Sequence, residues 1–231
     1  MKKLGILGGM GPLPSAELVQ TIYHIHTGEK EQELPACVLY SDPSIPDRTE
    51  AILAGDTREV TARVSRALAE LAAAGVDRIF IACVTAHHVL PDVPEPLRQR
   101  VINLIDLVID DILEAPRPCL LLCTTGTRRA RIFERHERWD EIAEHVRFLD
   151  DDDQHKLHDH LYRLKKQAPP QECLAWLDLL PAKYGVYNLI FGCTELHLMH
   201  RPLAARHAAR DHYCIIDPMM IVARDVKKLL A

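Results

Sequence analysis

Two segments of the chain repeat one arrangement of reactive side chains. Ile79-Phe80-Ile81-Ala82-Cys83-Val84-Thr85-Ala86-His87 and Leu189-Ile190-Phe191-Gly192-Cys193-Thr194-Glu195-Leu196-His197 each run from an apolar strand-like stretch through a small residue to Cys, and Thr and His follow. One segment lies in each half of the chain. Two thiols suit a reaction in which a proton leaves one face of a carbon and another arrives on the opposite face. One sulfur, as thiolate, is the base; the other, as thiol, is the acid. A free cysteine titrates at about 8.5, near enough to neutrality for its surroundings to set which form is held. Strand ends that open onto helix N-termini add backbone N–H groups, which favour thiolate and a carboxylate with developing enediolate charge. On residue type and spacing alone, two core cysteines at strand ends explain the same pattern more simply, and the repeat is short.

The remaining cysteines carry no such pattern. The seven are Cys37, Cys83, Cys119, Cys123, Cys173, Cys193 and Cys214, an odd number with no Cys-x-x-Cys pair. A disulfide framework and zinc or thioredoxin-type chemistry are therefore not expected. Cys37, Cys119, Cys173 and Cys214 read as small buried hydrophobes. The chain has 231 residues, 48% hydrophobic and 26% charged, with a formal net charge of −5. That composition describes a globular protein with a real core and no cationic stripe, so no nucleic-acid partner is expected. No apolar run approaches the roughly 18 residues of a spanning helix, so no membrane partner is expected. The start at Met1-Lys2-Lys3 lacks the long apolar stretch of a signal peptide, and a cytoplasmic location is expected.

The elements that must position the two thiols follow from hydrophobic periodicity. Leu4–Leu7, Pro35–Ser41, Asp77–Cys83 and Val101–Asn103 read as strands of a first series. Helices are expected from Pro12 to about His26, over Thr57–Ala74, and over Leu104–Leu113. In the second of these, Val60, Val64, Ala67, Leu68 and Leu71 share one face, and Gly75 ends it. A second series has strands at Pro118–Thr124, Val146–Leu149, Tyr187–Cys193 and Tyr213–Ile216. Its helical stretches follow Gly126 and cover about Asp153–Lys166 and Gln171–Lys183, with a helical tail from Pro218 to Leu230. Strands alternating with helices predict an α/β fold with largely parallel sheets, whose ligands sit beyond the carboxyl ends of strands. The expected division is a first lobe of residues 1–103 with about 208–231, carrying Cys83, and a second lobe of residues 104–207, carrying Cys193.

The chain resembles the aspartate/glutamate racemase superfamily, in its aspartate racemase-like branch. The resemblance rests on five segments in order: Gly5-Ile6-Leu7-Gly8-Gly9-Met10-Gly11-Pro12, Ile45-Pro46-Asp47-Arg48-Thr49, Ala82-Cys83-Val84-Thr85-Ala86-His87, Thr124-Thr125-Gly126-Thr127 and Gly192-Cys193-Thr194-Glu195-Leu196. It implies two similar α/β lobes, each a mostly parallel sheet flanked by helices, with the active site in the cleft between them. It implies 1,1-proton transfer at the α-carbon of an acidic amino acid without pyridoxal phosphate or any other cofactor, with Cys83 and Cys193 on opposite faces. Aspartate is favoured and glutamate is possible as substrate. Met10, Gly11, Thr85, Thr125, Thr127, Thr194 and Glu195 fall in the substrate-binding loops. Arg48 matches an arginine used for the side-chain carboxylate, a task that a guanidinium fork suits. A lysine near a helix end serves the same group; Tyr162-x-x-x-Lys166 fits best and Lys165 is the runner-up. A homodimer is the expected assembly.

The chain departs from that pattern in places. Val84 stands where the first motif usually has Asn, which removes an amide from the substrate's polar neighbourhood. Arg128 and Arg129 follow Thr127, and His197 stands where proline is common. Val84 keeps open a family member that only binds an acidic metabolite, and the shared carbanion chemistry keeps open a related isomerase or decarboxylase. Two further classes are weaker. Gly9-Met10-Gly11 is followed by Pro14 where a dinucleotide-binding fingerprint needs glycine, and no Gly-Lys-Ser/Thr marks a P-loop. His155, His158 and His160 beside Asp150–Asp153 read as a solvated helix start, so no metal is expected.

Overall fold

The computed structural model describes residues 2–27, 30–207 and 214–231. The chain divides into two compact units, Met1–Leu104 with Met219–Ala231, and Ile105–Pro218. The first unit begins β1 (Lys3–Gly8), α1 (Pro12–Ile25), β2 (Ala36–Ser41), α2 (Arg48–Leu53), α3 (Arg58–Ala73), β3 (Arg78–Ile81), α4 (Glu95–Arg98) and β4 (Val101–Ile102). Its strands form one parallel sheet in the order β2-β1-β3-β4. From the boundary onward come α5 (Leu104–Glu114), β5 (Cys119–Cys123), α6 (Thr125–Arg129), β6 (Val146–Phe148), α7 (Asp151–Lys165), α8 (Gln171–Leu177), α9 (Leu180–Tyr184), β7 (Asn188–Gly192), α10 (His197–His207) and β8 (Cys214–Ile216). The second sheet is also parallel, in the order β6-β5-β7-β8. The closing helix α11 (Pro218–Leu229) returns the chain to the first unit.

The two sheets share one topology, and in both a cysteine follows closely on the third strand in spatial order, Cys83 after β3 and Cys193 after β7. β5 and β7 are buried along their whole length. Strands covered on both faces read as continuous apolar runs, which is why Cys119–Cys123 and Leu189–Phe191 show no alternation. α3 buries the face its spacing predicts: Val60, Val64, Ala67, Leu68 and Leu71. Fully burying a side chain such as Leu68 contributes roughly 1.5–3 kcal/mol.

The glycine-rich turn after β1 is shaped by close packing. Gly9 has φ +90°, and a Cβ there would lie 2.3 Å from the Asp42 backbone. Only glycine lets this turn and the loop after β2 touch. The Ser15 hydroxyl accepts the Gly9 N–H at 3.4 Å and donates to the Pro12 carbonyl at 2.9 Å.

Several expectations need correction. Cys214–Ile216 pair with β7, so this stretch belongs to the second sheet, and the return to the first unit comes at Met219 instead of about residue 208. Tyr213, the expected start of that strand, lies outside the described residues, as does Met1. Residues 171–183 form two helices, because Pro181 starts α9 in its first turn. The stretch after Gly126 is helical only to Arg129; Arg131 takes φ +52°, which ends it. α2, α4 and α10 lie outside the helices expected from the sequence. Cys119, Cys123 and Cys173 are buried, whereas Cys37 and Cys214, on the edge strands β2 and β8, are half-buried. Among the described residues no helix is long and apolar enough to cross a membrane.

Candidate active site

The first unit's thiol stands just past the end of β3. Cys83 is 5% exposed, and its N–H donates to the Ile81 carbonyl at 2.7 Å. The turn Thr85–Asp92 follows, with Thr85 buried and Val84 2% exposed. His87, one turn beyond the thiol, braces it. Its Nδ1 lies 3.0 Å from the Cys83 carbonyl, and its Nε2 lies 3.3 Å from the Leu104 backbone nitrogen. A carbonyl only accepts and an N–H only donates, so the ring carries its proton on Nδ1. The imidazole thereby joins the Cys83 turn to the first residue of α5.

The loops predicted for substrate binding in this unit are built around Arg48. Asp47 caps α2 by accepting the Glu50 N–H at 3.0 Å. Arg48 follows and is 8% exposed. Its Nη1 donates to the carbonyls of Ile45 at 3.2 Å and Pro46 at 3.0 Å, and its Nη2 donates to the Met10 carbonyl at 3.1 Å. Met10 is buried, and Gly11 is the N-cap of α1. Arg48 therefore clamps its own loop to the glycine-rich turn, and three backbone carbonyls fix its orientation.

The second unit's thiol stands in the corresponding place past β7. Cys193 is 5% exposed, and its Sγ donates to Glu195 Oε2 at 2.9 Å. Burial, then the Glu195 charge, pushes this thiol well above the ordinary cysteine range, and Lys165 opposes them. Burial alone pushes Cys173 up to about 12. Thr194 and Glu195 are buried in the short turn Thr194–Leu196. Thr125 is half-buried and Thr127 buried at the start of α6, where Thr124 Oγ1 accepts the Thr127 N–H at 3.1 Å.

The two candidate lysines part company. Lys166 is exposed, and its backbone N–H closes the end of α7. Lys165 is half-buried, with its ammonium 4.3 Å from the centre of the Tyr162 ring, and it is the lysine that acts on Cys193. Of the two, Lys165 is the more buried. Arg128 lies 3.7 Å over the Phe148 ring and pairs with Glu134 at 3.0 Å, while Arg129 is exposed. Among the described residues no cluster of three or more His, Cys, Asp or Glu able to hold a metal ion occurs.

A buried carboxylate holds two histidines near the second thiol turn. His197, one turn past Cys193 as His87 is past Cys83, lies 2.6 Å through Nδ1 from Asp217 Oδ2, and His200 Nδ1 lies 3.1 Å from the same oxygen. Asp217 is 2% exposed. Burial pushes its carboxyl up, yet the two imidazoles outweigh this and hold it well below the usual carboxylate range. The sequence marks His197 through the repeat and through its place where proline is common, and nothing in it points to Asp217.

Comparison with known proteins gives this geometry a context. A family model described as Asp/Glu/hydantoin racemase matches residues 7–226. An aspartate racemase from Picrophilus torridus is 24% identical, with a TM-score of 0.76 over 98% of this chain and 94% of that one. An aspartate racemase homologue from Pyrococcus horikoshii is 22% identical, with a TM-score of 0.72 over 100% of this chain and 99% of that one. A glutamate racemase from Francisella tularensis, solved in complex with D-glutamate, is 15% identical, with a TM-score of 0.60 over 99% and 81%. At these identities the likeness speaks to the fold.

Proposed function

The chain belongs to the Asp/Glu/hydantoin racemase family, and from that membership we propose that it interconverts the enantiomers of an acidic amino acid, aspartate ahead of glutamate, without pyridoxal phosphate. The observation that carries the proposal is the equivalence of the two thiols. Cys83 and Cys193 each stand just past the third strand of a sheet of the same order, and each is followed by a short turn and a histidine at the same spacing. A cysteine at the same strand end in both units, each with its histidine, supplies the matched pair of thiols that two-base chemistry uses.

In the proposed reaction, one sulfur as thiolate takes the α-proton from its face of the α-carbon. The electron pair passes into the α-carboxylate as an enediolate, and the other sulfur as thiol returns a proton to the opposite face. General acid–base help of this kind is worth about 10²–10⁴-fold, so Cys83→Ser and Cys193→Ser are each expected to lower turnover by at least that much. Thr85, Thr125, Thr127 and Thr194 are proposed to meet the substrate carboxylate with hydroxyl or backbone donors, together with the turn at Met10 and Gly11. Arg48 is proposed to take the side-chain carboxylate, its fork held by the carbonyls it already binds.

Chiral chromatography tests the proposal. Starting from L- or D-aspartate, or L- or D-glutamate, with no added cofactor, one acid is expected to approach an equal mixture from either side. Failure of both acids to interconvert would remove the racemase reading. Buried Val84 favours one second reading, a protein that binds an acidic metabolite without turning it over. That reading predicts saturable binding of aspartate or glutamate with no change in configuration.

A further inference from the structure

We infer that Glu195 is the proton partner of Cys193: sulfur and carboxylate hold a proton between them, and Glu195 receives it when that sulfur turns base. The inference rests on the two-thiol racemase reading for its role in turnover, whereas the pairing itself stands on geometry. Cys193 Sγ lies 2.9 Å from Glu195 Oε2. Glu195 is 2% exposed, which sets its carboxyl group apart from bulk solvent. Its other oxygen, Oε1, is buried and has no hydrogen-bond partner among the described residues. Leaving a buried acceptor unpaired costs free energy, and a structure pays that where the group has work to do. Glu195 was read from the sequence as a substrate ligand. Its placement directs Oε2 at the sulfur.

The proton balance is consistent. In the one-proton resting pair the proton is placed on Sγ, which donates to Oε2 across 2.9 Å. Its transfer to Oε2 leaves a thiolate beside a carboxylic acid that donates back to it. The thiolate then takes the substrate α-proton, so the pair holds two protons. Cys83 supplies its thiol proton to the opposite face of the carbon and becomes thiolate. In the reverse direction Cys83 takes the α-proton, Cys193 gives up its own, and the acid form of Glu195 refills the sulfur. Without Glu195 as acceptor, Cys193 must shed its proton in a site where burial disfavours the anion. Among the described residues, Lys165 on α7 and Glu195 in the turn are the charged groups that act on this sulfur.

The test is made on the intact chain as wild type and Glu195→Gln. Iodoacetamide labelling of Cys193 is followed by peptide mass spectrometry from neutral to alkaline pH without substrate. The midpoint is read in place of the absolute rate, since burial slows labelling in both proteins. Replacing the carboxylate by an amide removes the charge that disfavours thiolate. The Cys193 midpoint is expected to fall by about one pH unit or more, a tenfold gain in thiolate at neutral pH. Racemisation is expected to fall about 10²-fold or more in spite of that gain. An unmoved midpoint would overturn the pairing. Turnover that rises with the thiolate population would overturn the relay, because Glu195 would then only hold the thiol back. Labelling needs no turnover, so the pairing is decided even if the protein proves not to racemise aspartate or glutamate. If the Gln variant does not fold, the S–H infrared band lost on Cys193→Ser decides it. A band shifted to low frequency supports a thiol bonded to carboxylate, and one at the position of an unbonded thiol contradicts it.

Discussion

At the scale of single residues, Lys165 and Lys166 are adjacent in sequence and differ in what they reach. Lys165 has its ammonium over the Tyr162 ring and acts on Cys193, while Lys166 points to solvent. A hydrogen bond to a charged group contributes about 1.5–3 kcal/mol, so Lys165→Ala is expected to weaken kcat/KM for an acidic substrate by about 10–100-fold. Lys166→Ala is expected to stay within about twofold, as for most exposed charges. Steady-state kinetics of the two variants check this, and a larger loss from Lys166→Ala would reverse the assignment. The choice between them was open to helix phase. Leu157, Leu161 and Leu164 form the buried stripe of α7, and Lys165 stands four residues after Leu161. The spacing from Tyr162 points to Lys166, whereas burial on α7 sets Lys165 nearer the stripe. Cys83, Cys193 and Arg48 were legible as chemically notable residues. That Arg48 binds three carbonyls was not, because main-chain acceptors leave no mark in side-chain pattern.

At the scale of elements, each thiol turn is anchored by a histidine to a segment where the chain changes units. His87 reaches Leu104, the residue at which the first stretch of the first unit ends, and His197 reaches Asp217, next to Pro218 where the second unit ends. His87→Ala would leave the Cys83 carbonyl and the Leu104 N–H without this ring. A buried polar group that loses its partner costs about 1–3 kcal/mol, so a stability loss of about 2–4 kcal/mol is expected in urea unfolding, with reduced turnover from a Cys83 turn no longer held. Unchanged unfolding would show that the bridge is dispensable. The strands and the long helices could be read from the sequence because apolar runs and a 3.6-residue period survive without context. Shorter elements were hidden. α2 begins with Asp47 accepting from Glu50, a helix-start signature that the prolines before it masked. α10 carries Pro202 inside it, which argues against a helix unless packing overrides it. Its buried positions Met199 and Leu203 against the second core supply that packing.

At the scale of the whole molecule, two units of one sheet order each bring a thiol to the end of the same strand. The short repeat around Cys83 and Cys193 was the visible trace of that duplication, and the elements around the two cysteines give it weight that the spacing alone lacked. Where the sequence misplaced the second boundary, the reason lies in pairing. β8 has only three residues, and its sheet partner is set by long-range contact with β7, which no local pattern encodes. Two bases on two faces make a prediction that one base cannot. The most direct measurement is deuterium incorporation at the α-carbon during the first turnovers in D2O, read by NMR separately in recovered substrate and in product of opposite configuration. The expected result is label appearing first in the product isomer from either enantiomer of aspartate, and lost in both Cys83→Ser and Cys193→Ser. Label entering recovered substrate with retained configuration as fast as product, or a single Cys→Ser variant keeping wild-type racemisation, would contradict the two-thiol mechanism.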